Sequence, residues 1–292
     1  MHVTADRKGA VWEENSLQDK ALEWMYGHFP GRLFLKLLIR PRVSKLGGYF
    51  LDSAFSKALI QPFINRNSID MSEYEKKSYV SYNDFFKRRL VPGARRPEEN
   101  PEIFISPCDS RLTVCEIDRE STFFIKHTWY TVSGLLRDFK TADRYAGGYI
   151  WIFRLCVDDY HRYIYIDNGK ESLRRRIPGV LHTVNPAAGD RLPVYKENAR
   201  EYSLLKSENF GTVLQMEVGA LLVGKIENCQ EGKTVKRGQE KGNFAFGGST
   251  VILMTQAGKV RPDEDILENA GKGIETKVRL GERIGCKKVI QE

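Results

Sequence analysis

From Ile103 onward the chain breaks into short apolar runs rich in β-branched and aromatic residues, and this texture constrains its fold more than any other feature. IFISP, RLTVCEI, TFFIKH, GYIWIFRLCV, the alternation around Tyr163 to Ile166, GVLHTV, VLQMEVGALLVGKI and TVILMT follow one another between glycines, prolines and Asx residues. Short runs so punctuated read as strands and turns. Upstream the pattern changes: apolar residues recur at helical spacing, as in Leu17, Ala21, Leu22 and Met25, then Phe34, Leu35, Leu37 and Leu38, then Phe50, Leu51, Ala54, Phe55 and Leu59. Ser16 with Asp19 suits a capping box, and breaks are expected at Gly27 to Gly31, Pro41 and Pro62. The chain is therefore expected to be α+β, with a helical N-terminal region over residues 1–95 and a mostly β body over 96–292.

At 292 residues the chain can bury a substantial core as one large or two ordinary domains. Its net charge of +8 favours an acidic partner, either an anionic lipid surface or nucleic acid. Ser81 to Pro97, SYNDFFKRRLVPGARRP, joins aromatic to basic residues, but adjacent Phe85 and Phe86 in a helical phase point to burial rather than base stacking, so no nucleic-acid partner is expected. Leu33 to Ile39 is too short to span a bilayer, which takes roughly 20 apolar residues. Combined with Lys36, Arg40, Arg42 and Lys45, it has the composition of an interfacial membrane helix. Five scattered cysteines without a CxxC pair argue for a reducing compartment and against a disulfide framework or a zinc site, and no metal is expected. The polar N-terminus is unlike a secretory signal. These features together lead us to expect a soluble or peripheral protein. Val223 to Ser249 alternates short strands with Glu-Gly, Arg-Gly and Lys-Gly turns, a composition resembling the hairpins of a barrel-sandwich carrier domain but without its modified lysine.

Phe246-Gly247-Gly248-Ser249-Thr250 offers more chemistry than any other segment. Read alone, a GGS sequence is most often a tight turn or bulge, and the absence of GxxxxGK[ST] argues against a phosphate-binding loop. A serine after two glycines nevertheless has a further option. Its hydroxyl can attack the Gly248 carbonyl, moving the acyl group from nitrogen to oxygen; β-elimination then cuts the chain, and hydrolysis with loss of ammonia leaves a pyruvoyl group. Serine chemistry needs a base and something to orient it. Of the five histidines, His2 and His28 lie in the N-terminal region, whereas His127, His161 and His182 fall in the β body, and Asp109 follows a strand end.

Several segments together resemble the phosphatidylserine decarboxylase family, pyruvoyl-dependent enzymes made as self-cleaving proenzymes. SYNDFFKRRLVPGARRP is similar to its FFxRxLxPGxRP segment and SPCDSRL to its SPxDG segment. DDYHR, VNP, YKENAREYSLL from Tyr195 to Leu205, VGALLVGKI, FGGST and ETKVRLGERIG follow in family order. The resemblance covers residues 81 to 285. It implies cleavage between Gly248 and Ser249, with Ser249 becoming the covalent pyruvoyl cofactor of a short chain and residues 1–248 forming the long chain. It also implies that Asp109 is the charge-relay aspartate and His161 the catalytic histidine. The family has a second histidine three positions later, where this chain has Ile164, so that His161 serves both cleavage and decarboxylation, or His182 or His127 stands in. The implied substrate is phosphatidylserine in an anionic membrane, decarboxylated to phosphatidylethanolamine by a peripheral membrane enzyme on the cytoplasmic face; Tyr160, Phe246 and Asn198 are candidates for the pocket, and a homodimer is left open. The rivals are a pyruvoyl decarboxylase of a soluble amino acid, a non-maturing membrane-binding paralogue and an ordinary serine hydrolase.

Overall fold

The structure is a computed structural model and describes residues 2–14, 22, 24–125, 128–185, 193–220, 226–229, 231–245 and 249–288. The expected capping box at Ser16 and Asp19, His127, Phe246, Gly247 and Gly248 lie outside the described residues.

The helical layer contains α1 (Phe29–Leu38), α2 (Pro41–Asp52), α3 (Ile60–Asn67) and α4 (Tyr82–Phe86). The break expected at Gly27 to Gly31 falls at His28, between helical residues 24–27 and α1, and that at Pro41 falls at the start of α2. Pro62, however, lies inside the first turn of α3, where a missing N–H leaves no intrahelical bond unmade. Ser81 caps α4 by accepting the Asp84 N–H at 3.2 Å. Tyr82, Phe85 and Phe86 then pack with Leu51, Ile60, Phe63 and Ile64 into a small aromatic core, so both phenylalanines of the FF pair are buried. The same region exposes Phe29, Leu33, Phe34, Tyr49, Phe50 and Phe55, the last 86% exposed. Among the described residues no helix is long and apolar enough to cross a membrane.

The β body is built on an eleven-stranded mixed sheet. Its central strands are β1 (Ser110–Glu116), β2 (Tyr149–Leu155), β4 (Arg200–Ser207), β5 (Thr212–Val218), β7 (Ser249–Thr255) and β8 (Glu275–Val278), while β3 (Arg162–Ile164) and β6 (Glu240–Phe244) belong to a smaller sheet. The spatial order β4–β5–β7–β2–β1–β8 is antiparallel throughout. β7 is buried at every position, as expected of a strand covered on both faces, and this explains why TVILMT reads as an unbroken apolar run rather than an alternation. The sheet stays open. Among the described residues of the Val223–Ser249 segment, Ile226–Asn228 pairs with β6 but Thr234–Val235 pairs with distant Gly169–Glu171, so the suggested chain of local hairpins does not form a closed barrel.

Residues 2–14, assigned on sequence to the helical region, instead form strands His2–Ala5 and Val11–Glu14, the first running parallel to β8. A turn at Gly9, φ +88°, joins them, and the Asp6 carboxylate accepts the N–H groups of Lys8 and Ala10. Arg7 docks the turn through Asp263 at 2.8 Å. Leu22, Tyr26 and Leu35 pack into the same core as the β body.

One buried ion cluster ties the two sheets together near the start of β7. Lys241, on β6 and 1% exposed, donates to Glu217 at 2.8 Å and lies 3.5 Å from Glu171, which also accepts from Ser203 and Tyr165. Burial pushes the Glu217 carboxyl up, and Lys241 opposes that shift. Lys241→Met, which leaves both carboxylates without their cation, is expected to destabilise the fold by about 3–5 kcal/mol. Adding Glu217→Leu is expected to recover part of the loss. Urea unfolding of both variants checks this.

Candidate active site

Strand register gathers the candidate residues at one end of the large sheet. Ser249, the first residue of β7, pairs with Leu155, the last of β2; Thr250 pairs with Val218, the last of β5; and Arg154 pairs with Arg111 near the start of β1. With neighbouring strands about 4.8 Å apart, Ser249 lies between the ends of β5 and β2 and roughly 10 Å from the start of β1. Asp109 immediately precedes β1, and the turn leading to His161 immediately follows β2. The Ser249 side chain is fully buried, and its Oγ has no hydrogen-bond partner among the described residues.

Two tethers hold His161 beside the segment that enters Ser249. Its carbonyl accepts the Phe244 N–H at 3.0 Å, and its ring lies 4.2 Å, centroid to centroid, from that of Phe86. Nδ1 is 2.9 Å from the Asp159 carbonyl oxygen. Because a carbonyl only accepts, the neutral ring carries its proton on Nδ1 and keeps the Nε2 lone pair for base chemistry. The Asp159 side chain is fixed by Arg111, whose Nη1 donates to both carboxylate oxygens at 2.7 and 2.6 Å, and by the Cys156 N–H. The ring orientation shown therefore depends on a backbone acceptor that sequence reasoning missed.

Asp109 is buried at the same end. It accepts the Leu280 N–H at 2.7 Å and faces Arg95 at 3.5 Å, and Arg95 in turn grips Glu73. Burial raises its carboxyl above the usual range, opposed by the Leu280 N–H and Arg95. The partners shown for Asp109 thus anchor the start of β1, while His161 takes its acceptor from Asp159. Ile164, at the position of the family's second histidine, is buried in the core, and its N–H bonds the Pro107 carbonyl at 2.9 Å.

His182 is tied to the end of β5, the strand that flanks β7 on the side away from β2. Asn198 links its backbone to the end of β5: the Asn198 Oδ1 accepts the His182 N–H, and its Nδ2 donates to the carbonyls of His182 and Gly219. Asn198 is fully buried and committed to these bonds, which join the His182 segment to the end of β5. The other pocket candidate among the described residues, Tyr160, is buried against Tyr74. The His182 ring sits between the Tyr26 hydroxyl at 3.1 Å and Glu197 at 3.3 Å. Burial lowers its pKa below 6.5, although Glu197 pulls the other way. The folded chain therefore resists protonating this ring while the unfolded chain accepts the proton, so stability is expected to fall as pH drops below 6.5. Denaturant midpoints at pH 7.5 and 5.0 should differ less in His182→Gln than in the native chain.

Comparison with known proteins adds a family to this geometry. The pattern of the family described as phosphatidylserine decarboxylase matches residues 82–286. A protein of Clostridium acetobutylicum named phosphatidylserine decarboxylase proenzyme 2 is 49% identical over 276 residues, 94% of each chain. Proteins named phosphatidylserine decarboxylase proenzyme from Ruminiclostridium cellulolyticum and Clostridium kluyveri are 43% and 40% identical, covering 91% and 97% of this chain and 91% and 98% of their own.

Proposed function

The chain belongs to the phosphatidylserine decarboxylase family, and on that premise we propose that it is a proenzyme that cuts itself between Gly248 and Ser249 and then decarboxylates phosphatidylserine to phosphatidylethanolamine. The observation that carries this reading is Ser249, a fully buried serine directly after a glycine pair, whose hydroxyl has no hydrogen-bond partner among the described residues. A buried polar atom without a partner is costly in a purely structural role. Self-cleavage carries that oxygen away on Gly248 and puts a ketone oxygen where the residue 249 nitrogen stood, so losing the hydroxyl breaks no hydrogen bond among the described residues and the position fits a pyruvoyl group.

His161 acts first. Its Nε2 takes the proton of Ser249 Oγ as that oxygen attacks the Gly248 carbonyl carbon; the Gly248–Ser249 C–N bond breaks, and the nitrogen receives the proton. Elimination from the resulting ester releases residues 1–248 with a terminal carboxylate, and water displaces ammonia from residue 249. The ketone left there supplies an electrophile for the substrate amine and a sink for the electrons released with carbon dioxide. His161, still held by Phe244 and Phe86 on the long chain, delivers the proton that takes the place of the lost carboxylate.

The exposed apolar face of α1 and α2, with Arg32, Lys36, Arg40 and Lys57 also exposed, supports docking on an anionic bilayer. The helical layer then forms the membrane-facing part, while residues 2–14 belong with residues 96–292 to the catalytic body. The intact mass of the purified protein under denaturing conditions tests the proposal. Two chains, 1–248 and 249–292, are expected, the smaller lighter by one ammonia than its serine form, with carbon dioxide released from phosphatidylserine vesicles but not from free serine. A single full-length chain would favour a non-maturing paralogue, and release from free serine would favour a soluble amino-acid decarboxylase.

A further inference from the structure

We propose that Arg88 is a positioning residue for His161: its buried guanidinium, matched by that of Arg162, clasps the turn carrying the histidine and fixes the ring's tautomer from the helical layer. Arg88 follows α4 and is 2% exposed. Its Nη2 donates to the carbonyls of Asp158 and Asp159 at 3.1 and 3.3 Å. The Asp159 oxygen is the same one that His161 Nδ1 uses at 2.9 Å. A carbonyl has two lone pairs, and here one faces the arginine and the other the histidine. The clasp is reciprocal, because Arg162 donates back to the carbonyls of Lys87 and Arg88 at 2.7 and 3.2 Å. Between the two clasps, Phe86 lies against the His161 ring.

A buried cation ordinarily sits on a carboxylate. Among the described residues the Arg88 Nε and Nη1 instead have no hydrogen-bond partner, and the guanidinium is stacked over Tyr74 and Phe85 at 4.5 and 5.1 Å. Its hydrogen-bonding capacity is thus directed mainly at one turn, in a flat geometry that lysine cannot reproduce. Removing it frees the Asp159 carbonyl to turn away. Nδ1–H then loses its fixed acceptor, and the tautomer protonated on Nε2, which cannot act as the base, becomes accessible. Phe85 and Phe86 belong to the small core of α2, α3 and α4, so the clasp links the apolar helical layer directly to the histidine.

This inference rests on His161 being the base for self-cleavage. The test follows cleavage of freshly translated full-length chains and records the ¹⁵N resonances of the His161 ring in the uncleaved full chain carrying Ser249→Ala. Arg88→Met and Arg88→Lys are expected to cleave about 100-fold more slowly. Methylguanidinium should restore part of the rate to Arg88→Ala, and the His161 ring should shift from the Nδ1–H form to a tautomer mixture in each of the three Arg88 variants. Native rates in Arg88→Met, or slow cleavage with an unchanged tautomer and no rescue, would overturn the proposal. Arg88→Lys keeps the buried charge and carries the measurement if Arg88→Met fails to fold. An His161→Gln chain that cleaves at the native rate would remove the underlying assignment of the base, a result distinct from any Arg88 outcome.

Discussion

Replacing Ser249 by alanine is expected to leave the protein as one 33.5 kDa chain, while the native protein separates into residues 1–248 and 249–292. Denaturing mass spectrometry reads the difference directly. Alanine has no oxygen to attack the Gly248 carbonyl and no leaving group to eliminate, so neither the cut nor the ketone can form. Decarboxylation should fall to background, a loss of at least about 10⁶-fold on the general scale of enzyme rate enhancements. Folding should survive, because the Ser249 hydroxyl makes no hydrogen bond among the described residues and its removal leaves no other polar group unpaired. An ordinary serine hydrolase would also lose activity on this substitution, but its native form would remain one chain and its serine would react with fluorophosphonate.

The distribution of partners along the chain explains what could be read from sequence. TVILMT and YIWIF were legible as strands because each is buried on both faces, so composition alone marks them. Phe85 and Phe86 were legible as buried because two adjacent aromatics in a short helix suit a packed layer better than a base-stacking surface. The strands within residues 2–14 were not legible: two four-residue segments carry little periodicity, and the first is placed by pairing with β8 at the other end of the chain. The same limit applies to the site. FGGST exposes its chemistry locally, whereas the acceptor for His161 depends on Arg111 and Arg88, which stand 48 and 71 residues from Asp159 in sequence. Asp109 was a reasonable orienting group by residue type, yet the partners shown for it are Leu280 and Arg95.

The division of labour between the two histidines gives the other large expected effect. His161→Gln should slow self-cleavage by about 10²–10⁴-fold, the usual contribution of a positioned general base. His182→Gln should change it by less than about tenfold. Both rings lie at the Ser249 end of the sheet, so proximity alone does not separate them. Their commitments do: His161 has its Nδ1 satisfied by a backbone carbonyl and its carbonyl fastened to Phe244, five residues before Ser249. His182 has one ring nitrogen against the Tyr26 hydroxyl and the other against Glu197, a pairing that favours structural cross-linking of the N-terminal region to the β body. Time courses of newly made full-length chains give both rates, and the reverse ranking would transfer the base to His182. Ile164→His offers no route around a lost His161, because that side chain points into the packed core, where an imidazole lacks the solvation it needs to titrate. A doubly substituted His161→Gln, Ile164→His chain is therefore expected to cleave no faster than His161→Gln alone, leaving a single histidine to serve both the cut and the later proton delivery.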